Sequence, residues 1–185
     1  MEEVRATYEK RYDPKVPVLC TDERPVPLLK RTRLPTAATT EHAKRVDYGY
    51  ERVGTAAVFL FPEPPAGWRD VAVRERKTKI DWAIALARSR DGRYAECVGV
   101  ISACDNRNTH TKGAFSEAFE PERARALVRR IEFCHTPKHG SWLNIAENEV
   151  RAFRTVGSPT SKRCERKQKR GRMMSTLLSV ASIGK

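Results

Sequence analysis

The sequence predicts an α/β fold with a mixed sheet, and three observations predict it. Strand-like runs rich in β-branched and aromatic residues come first: "VPVLCTDE", "VDYGYERVG", "TAAVFLF" and "WRDVAVRER". Helical and strand patterns then alternate down to "WLNIAENEVRAF", the order of a sheet that turns parallel behind crossover helices. At 185 residues with 39% hydrophobic content, the chain suits one domain with a real core and is short for two.

Taken in order, Val16–Glu23 is the first strand, entered at Pro17 and left at Asp22. The segment 24–45, "RPVPLLKRTRLPTAATTEHAKR", reads as a loop, too polar and too interrupted by proline for a buried element. "VDYGYERVG" and "TAAVFLF" read as two strands joined as a hairpin at Gly54. Pro62, Pro64, Pro65 and Gly67 stop the second, and the alternation of "WRDVAVRER" gives a further antiparallel strand.

Ile80, Ala83, Ile84 and Ala87 fall at helical spacing, with Thr78 three residues ahead of Asp81 as a capping box. "ECVGVISACD" (96–105) is a short apolar run that suits a strand buried on both faces. "GAFSEAFEPERARALVRRI" predicts helix in two pieces, with Pro121 in the first turn of the second. "IEFCHT" is a strand and "PKHGS" a loop; Leu143, Ala146, Val150 and Phe153 then mark a last amphipathic helix.

Net charge is +13, the balance of a protein that meets a polyanion. The excess is uneven: residues 1–153 carry 27 Lys and Arg against 22 Asp and Glu, whereas residues 154–185 carry 9 against 1. That tail, Ser-rich and aperiodic until "MMSTLLSVASI", is expected to be a disordered basic extension, leaving residues 1–153 as the folded domain. "MEEVRATYEKRYDPK" is no signal peptide and no apolar run reaches membrane-spanning length, so a cytoplasmic protein is expected. The five cysteines form no CxxC pair and are expected to be free buried thiols.

The chemistry lies in acids at strand ends. Asp22 and Asp105 each close a predicted strand, and a strand ending on an acid presents its carboxylate at the edge where open α/β sheets bind ligands. The last helix supplies a third acid, Glu147 or Glu149, and periodicity does not choose between them because both flank the apolar stripe. Three carboxylates on separate elements suit hard divalent ions. Two such ions activate an attacking oxygen and stabilise the leaving oxygen of a phosphodiester, with no Ser or Cys nucleophile required. A zinc site at His135 and His139 is disfavoured, since Pro137 and Gly140 break the helical spacing it needs. Trp142 is expected to be a core or loop anchor rather than a base-stacking residue.

"CTDERP" (20–25), "CDNRNTHT" (104–111) and "HTPKHGSWLNIAENE" (135–149) closely resemble, in order and spacing, three motif blocks of the IS630-group DDE transposases, relatives of the Tc1/mariner elements. "GTAAVFLFPEPPAGWRDV" and "RKTKIDWA" resemble linking segments of the same proteins, and the likeness runs from Tyr12 to Val150. The resemblance implies an RNase H-like fold with a mixed five-stranded sheet, the first three strands antiparallel and the later ones parallel. It implies Asp22, Asp105 and Glu147 as the catalytic and metal-binding triad, because the family's third acid follows a Trp-Leu-Asn with two residues between, as Glu147 follows Asn144. His110 would then lie near the second acid, with Asn106 and Asn108 shaping its loop.

The implied reaction is Mg²⁺-dependent cleavage at transposon ends, with Mn²⁺ as a substitute ion, and attack of the freed 3′ hydroxyl on target DNA. The implied partner is DNA, with a homo-oligomer admitted and neither membrane nor small-molecule substrate. Family members usually carry helix-turn-helix domains ahead of the catalytic domain, and this chain begins about twenty residues before Asp22. A transposase domain truncated at both ends is therefore expected. The alternative is a catalytically inactive basic remnant that binds DNA or a full-length transposase, and a third reading is a nuclease of the same fold.

Overall fold

A computed structural model describes residues 1–154 apart from 34, 35, 44 and 46–48. A five-stranded sheet orders its strands β3-β2-β1-β4-β5. β1 (Val18–Arg31) pairs antiparallel with β2 (Tyr50–Glu63), and β2 pairs antiparallel with β3 (Trp68–Arg74). β4 (Val100–Cys104) and β5 (Ile131–His135) continue parallel to β1. This is the RNase H-like arrangement, three antiparallel strands and then two parallel ones reached through helices.

Two apolar layers flank the sheet because alternate strand residues face opposite ways. Leu19, Phe59, Phe61 and Val100 meet α2 (Lys79–Asp91), α3 (Lys112–Ala118) and α4 (Pro121–Arg129) through Trp82, Leu86, Phe115 and Leu127. Val18, Cys20, Ile101, Ala103 and Cys134 meet α1 (Glu2–Glu9) and α5 (Ile145–Arg154) through Val4 and Ala146. β4, buried at every position, has helices on both faces, as its unbroken apolar run predicts. The capping box at Thr78 and Asp81 is formed, and Pro121 opens α4 as its first-turn residue. Cys20, Cys97, Cys104 and Cys134 are free and buried.

Two expectations are corrected. β1 does not give way to a loop after Glu23; it runs on to Arg31 through Pro25 and Pro27. The Pro17 carbonyl accepts from Ile101 N at 3.0 Å, so odd-numbered residues of β1 turn their backbone groups toward β4. β4 pairs only as far as Thr21, so Pro25 and Pro27 direct their missing N–H toward the edge beyond it, and no ladder bond is lost. Nor is there a hairpin at Gly54, because β2 continues straight through it. Leu28 opposes Gly54 while Leu29 opposes Arg52, leaving Val53 as an extra residue: the glycine marks a β-bulge, not a turn. The strand pairing with β2 as a hairpin is β1.

α1 has no counterpart in the predicted elements. It docks with few contacts: buried Val4, the Thr7 hydroxyl 3.5 Å from Cys134 Sγ, and Tyr8 Oη 3.4 Å from Cys20 Sγ. Apart from Arg154, which closes α5, the predicted basic tail and its Cys164 lie outside the described residues. Among the described residues no helix is long and apolar enough to cross a membrane.

Candidate active site

Sheet register brings the two strand acids side by side. β1 and β4 run parallel with Thr21 opposite Cys104, so Asp22 and Asp105 occupy the next step on neighbouring strands. Both share the parity of Cys20 and Ala103, which face α1 and α5. α5 therefore passes over the face on which these carboxylates lie.

Asn144 fixes where α5 starts. Its side chain, 1% exposed, donates from Nδ2 to the Thr21 carbonyl at 3.0 Å and accepts at Oδ1 from Ala146 N at 3.1 Å. One amide thus caps the helix and ties it to the residue before Asp22. Ala146 and Val150 bury the apolar stripe, leaving Glu147 half-buried between them. Glu149 is committed elsewhere, to Arg69 of β3, whose Nε and Nη2 donate to its two oxygens at 2.8 and 2.9 Å. Glu147 instead lies near enough for its charge to act on Asp22.

Asp22 is nearly buried, and its Oδ1 accepts the Glu23 N–H at 2.8 Å. Burial drives its carboxyl up to about 6; the Glu23 N–H opposes this, and the charges of Glu23, Asp105 and Glu147 add to it. Asp105 goes the other way. Burial would raise it, but the contacts of His110 and the positive charges of His110, Arg107 and Lys77 outweigh burial and hold it below the ordinary carboxylate range. Arg107 Nε lies 2.5 Å from Asp105 Oδ2, and His110 Nδ1 lies against Oδ1.

Behind the acids is a pair, Glu23 and His110, of which the sequence singled out only His110. Glu23 follows Asp22 on β1 and so points to the opposite face, where it is buried. Its Oε2 accepts from His110 Nε2 at 2.7 Å, and Lys77 Nζ lies 3.1 Å from Oε1. His110 is wholly buried, with its ring centroid 5.0 Å from that of Trp82 on α2. Nδ1 of His110 faces the Asp105 carbonyl at 3.2 Å, an atom that only accepts, while Nε2 faces a carboxylate. Both nitrogens therefore donate, and the ring is an imidazolium. Burial alone would depress its pKa, but Asp105, Cys104 and Glu23 raise it to about 12. The available signal was alternation: an acid next to Asp22 must enter the opposite core face, where it needs a cationic partner.

Among the described residues, no three His, Cys, Asp or Glu side chains are gathered tightly enough to cage a metal ion. Asp22 and Asp105 are adjacent by register, Glu147 is within electrostatic reach of Asp22, and Asp105 is held by Arg107 and His110. Of the two places expected for Trp142, core or loop, the core is excluded: it is 58% exposed, and its carbonyl accepts from Asn148 Nδ2 at 3.0 Å. Its place in the short 3₁₀ turn Ser141–Leu143 buries Leu143 and turns the indole outward. A cavity lined by Tyr8, Arg11, Val18 and Ile101 opens at the amino ends of β1 and β4, away from the acids.

Among solved structures the chain is similar to the Mos1 mariner paired end complex with Mn, at 13% identity and TM-score 0.46 over 89% of this chain and 49% of that one. It is similar to the Mos1 strand transfer complex, at 12% identity and TM-score 0.45 over 90% and 50%. It is also similar to a simian T-cell lymphotropic virus intasome in complex with PP2A regulatory subunit B56 gamma, at 8% identity and TM-score 0.47 over 80% and 41%. The chain thus spans about half the length of these proteins or less. No curated protein matches it. A family model described as "DDE superfamily endonuclease" matches residues 17–168, a span that takes in β1 through α5 and all three acids. The chain belongs to the DDE superfamily endonucleases.

Proposed function

We propose that this chain is the catalytic domain of an IS630-group transposase, a relative of the Tc1/mariner elements, that cleaves DNA at element ends and joins them to target DNA. One observation carries this reading. Asp22 is buried beside Asp105, burial pushes its carboxyl up to about 6, and the charges of Glu23, Asp105 and Glu147 add to the rise. The oxygen donors fit a hard divalent ion, Mg²⁺ with Mn²⁺ as substitute, and the residues that would hold it are Asp22, Asp105 and Glu147. When bound, a pair of such ions supplies an activated attacking oxygen and a stabilised leaving oxygen on the phosphodiester.

The chain's own residues do the positioning. Parallel pairing of β1 and β4 sets Asp22 beside Asp105, and Asn144 ties the start of α5 to β1 so that Glu147 lies over the same edge. Arg69 holds Glu149 and with it the outer side of the helix. The basic excess of the chain suits a DNA partner, bound in the cytoplasm as part of a homo-oligomer that supplies both element ends.

A second reading, a DNA-binding domain without turnover, draws on the 2.5 Å contact that keeps Arg107 on Asp105. Supercoiled plasmid incubated with Mg²⁺ or Mn²⁺ separates the two. The active reading expects nicked circles from the wild type and none from Asp105→Asn, whereas plasmid left supercoiled by both proteins favours the second.

A further inference from the structure

We infer that Glu23 and His110 are a pair of positioning residues that aim Asp105 at the metal, an inference that rests on the metal-site reading above. Asp105 stands just past the end of β4, at the head of the loop to Thr111 that precedes α3. His110 holds that loop at two points, since Nδ1 lies against the Asp105 carboxylate and faces the Asp105 carbonyl at 3.2 Å. Nε2 of the same ring is bonded at 2.7 Å to Glu23, a residue of the long central strand. Glu23 and His110 side chains are 1% and 0% exposed, so neither is available to solvent or to substrate. The only work their bond can do is mechanical and electrostatic: it ties the carboxylate of the second acid to the strand that carries the first.

The arrangement has a consequence for Asp22 and Glu23 together. Because successive strand residues face opposite ways, one dipeptide places a carboxylate at the site and another behind it, where it anchors the neighbouring acid. Second partners that orient a ligand in this way typically account for about 10- to 100-fold in metal affinity. Lys77, 29% exposed and 3.1 Å from the other Glu23 oxygen, balances the remaining charge.

The test is a titration of the full chain with Mn²⁺, following the paramagnetic resonance signal of the free ion, alongside thermal melts. Replacing both partners at once, Glu23→Leu with His110→Phe, leaves no unpaired buried charge and so favours a folded protein. This double variant is expected to melt cooperatively and to bind Mn²⁺ about 10- to 100-fold more weakly than the wild type. Glu23→Gln keeps an acceptor for the His110 N–H and is expected to lose less than the double variant, a rescue that a purely structural role would not produce. A folded double variant within about twofold of the wild type overturns the inference, as does Glu23→Gln binding as weakly as the double variant. The underlying reading fails by a different result: wild type that binds Mn²⁺ no better than Asp22→Asn and Asp105→Asn, which takes the inference down with it.

Discussion

Two carboxylates are buried on the neighbouring strands β1 and β2, and they are treated in opposite ways. Glu63, at the end of β2, is 1% exposed, and the chain supplies everything it needs: Tyr12 and Tyr94 hydroxyls at 3.0 Å and Arg93 Nε at 3.1 Å. Arg93 in turn lies over the Trp68 ring, 4.6 Å from its centroid, so the cluster is closed. Asp22, in β1, accepts the Glu23 N–H, while burial and the charges of Glu23, Asp105 and Glu147 push its carboxyl up. A buried carboxylate without a cationic partner is costly to the fold. The contrast is what the proposed metal-binding role of Asp22 predicts.

The comparison can be broken at its structural end first. Glu63→Ala strips three donors of their acceptor and leaves Arg93 without its partner, so a loss of about 3 kcal/mol in stability is expected, with Mn²⁺ affinity unchanged. Chemical denaturation and the Mn²⁺ titration read the two quantities separately, and an equal loss of metal binding would dissolve the distinction between the clusters.

At the other end the sign reverses. Asp22→Asn removes a carboxylate that the metal-free fold resists, so the variant is expected to be more stable than wild type by on the order of 2 kcal/mol at neutral pH and to lose its stabilisation by Mn²⁺. A destabilised Asp22→Asn would show that Asp22 is held as part of the structure.

The pH dependence sharpens the same point. The carboxyl of folded Asp22 is raised to about 6, above the roughly 3.9 of an unfolded chain, so the folded state keeps its proton longer. Stability without metal is therefore expected to fall as pH rises between these values, and Mn²⁺, competing with that proton, to bind more weakly as pH falls through about 6. Flat Mn²⁺ affinity between pH 5 and 7 would count against Asp22 as a ligand. The smallest effect belongs to Tyr12→Phe, which removes one bond to Glu63 from a half-exposed phenol and should shift a thermal melt the least.

Much of the frame was legible before any coordinates. β3, α2 with its cap, the split at Pro121, β4 and β5 lie where periodicity and punctuation put them, because each forms from interactions within a few residues of chain. The errors share a cause. Pro25, Pro27 and Gly54 are local stop signals, and they lost that meaning because of what lies beside them: an edge that β4 leaves free, and a bulge opposite Leu28. α1 went unseen because its packing depends on Cys20 and Cys134, far along the chain, rather than on a strong stripe of its own. Trp142 looked like an anchor by residue type, but the 3₁₀ turn spends its one inward position on Leu143.

From β3 onward the sequence by itself determined the order of strands and helices, and it carries the acids Asp22 and Asp105 at strand ends, since alternation, caps and apolar runs are local and the charges are written in the chain. Whether Glu147 or Glu149 faces Asp22 lay beyond its helical period, because the two flank the same stripe and only Arg69 on β3, across the packed layers, separates them. The clamp of Glu23 on His110 likewise joins residues 87 apart. Such partners are set by strand register and helix docking, and those emerge only when the whole sheet has closed.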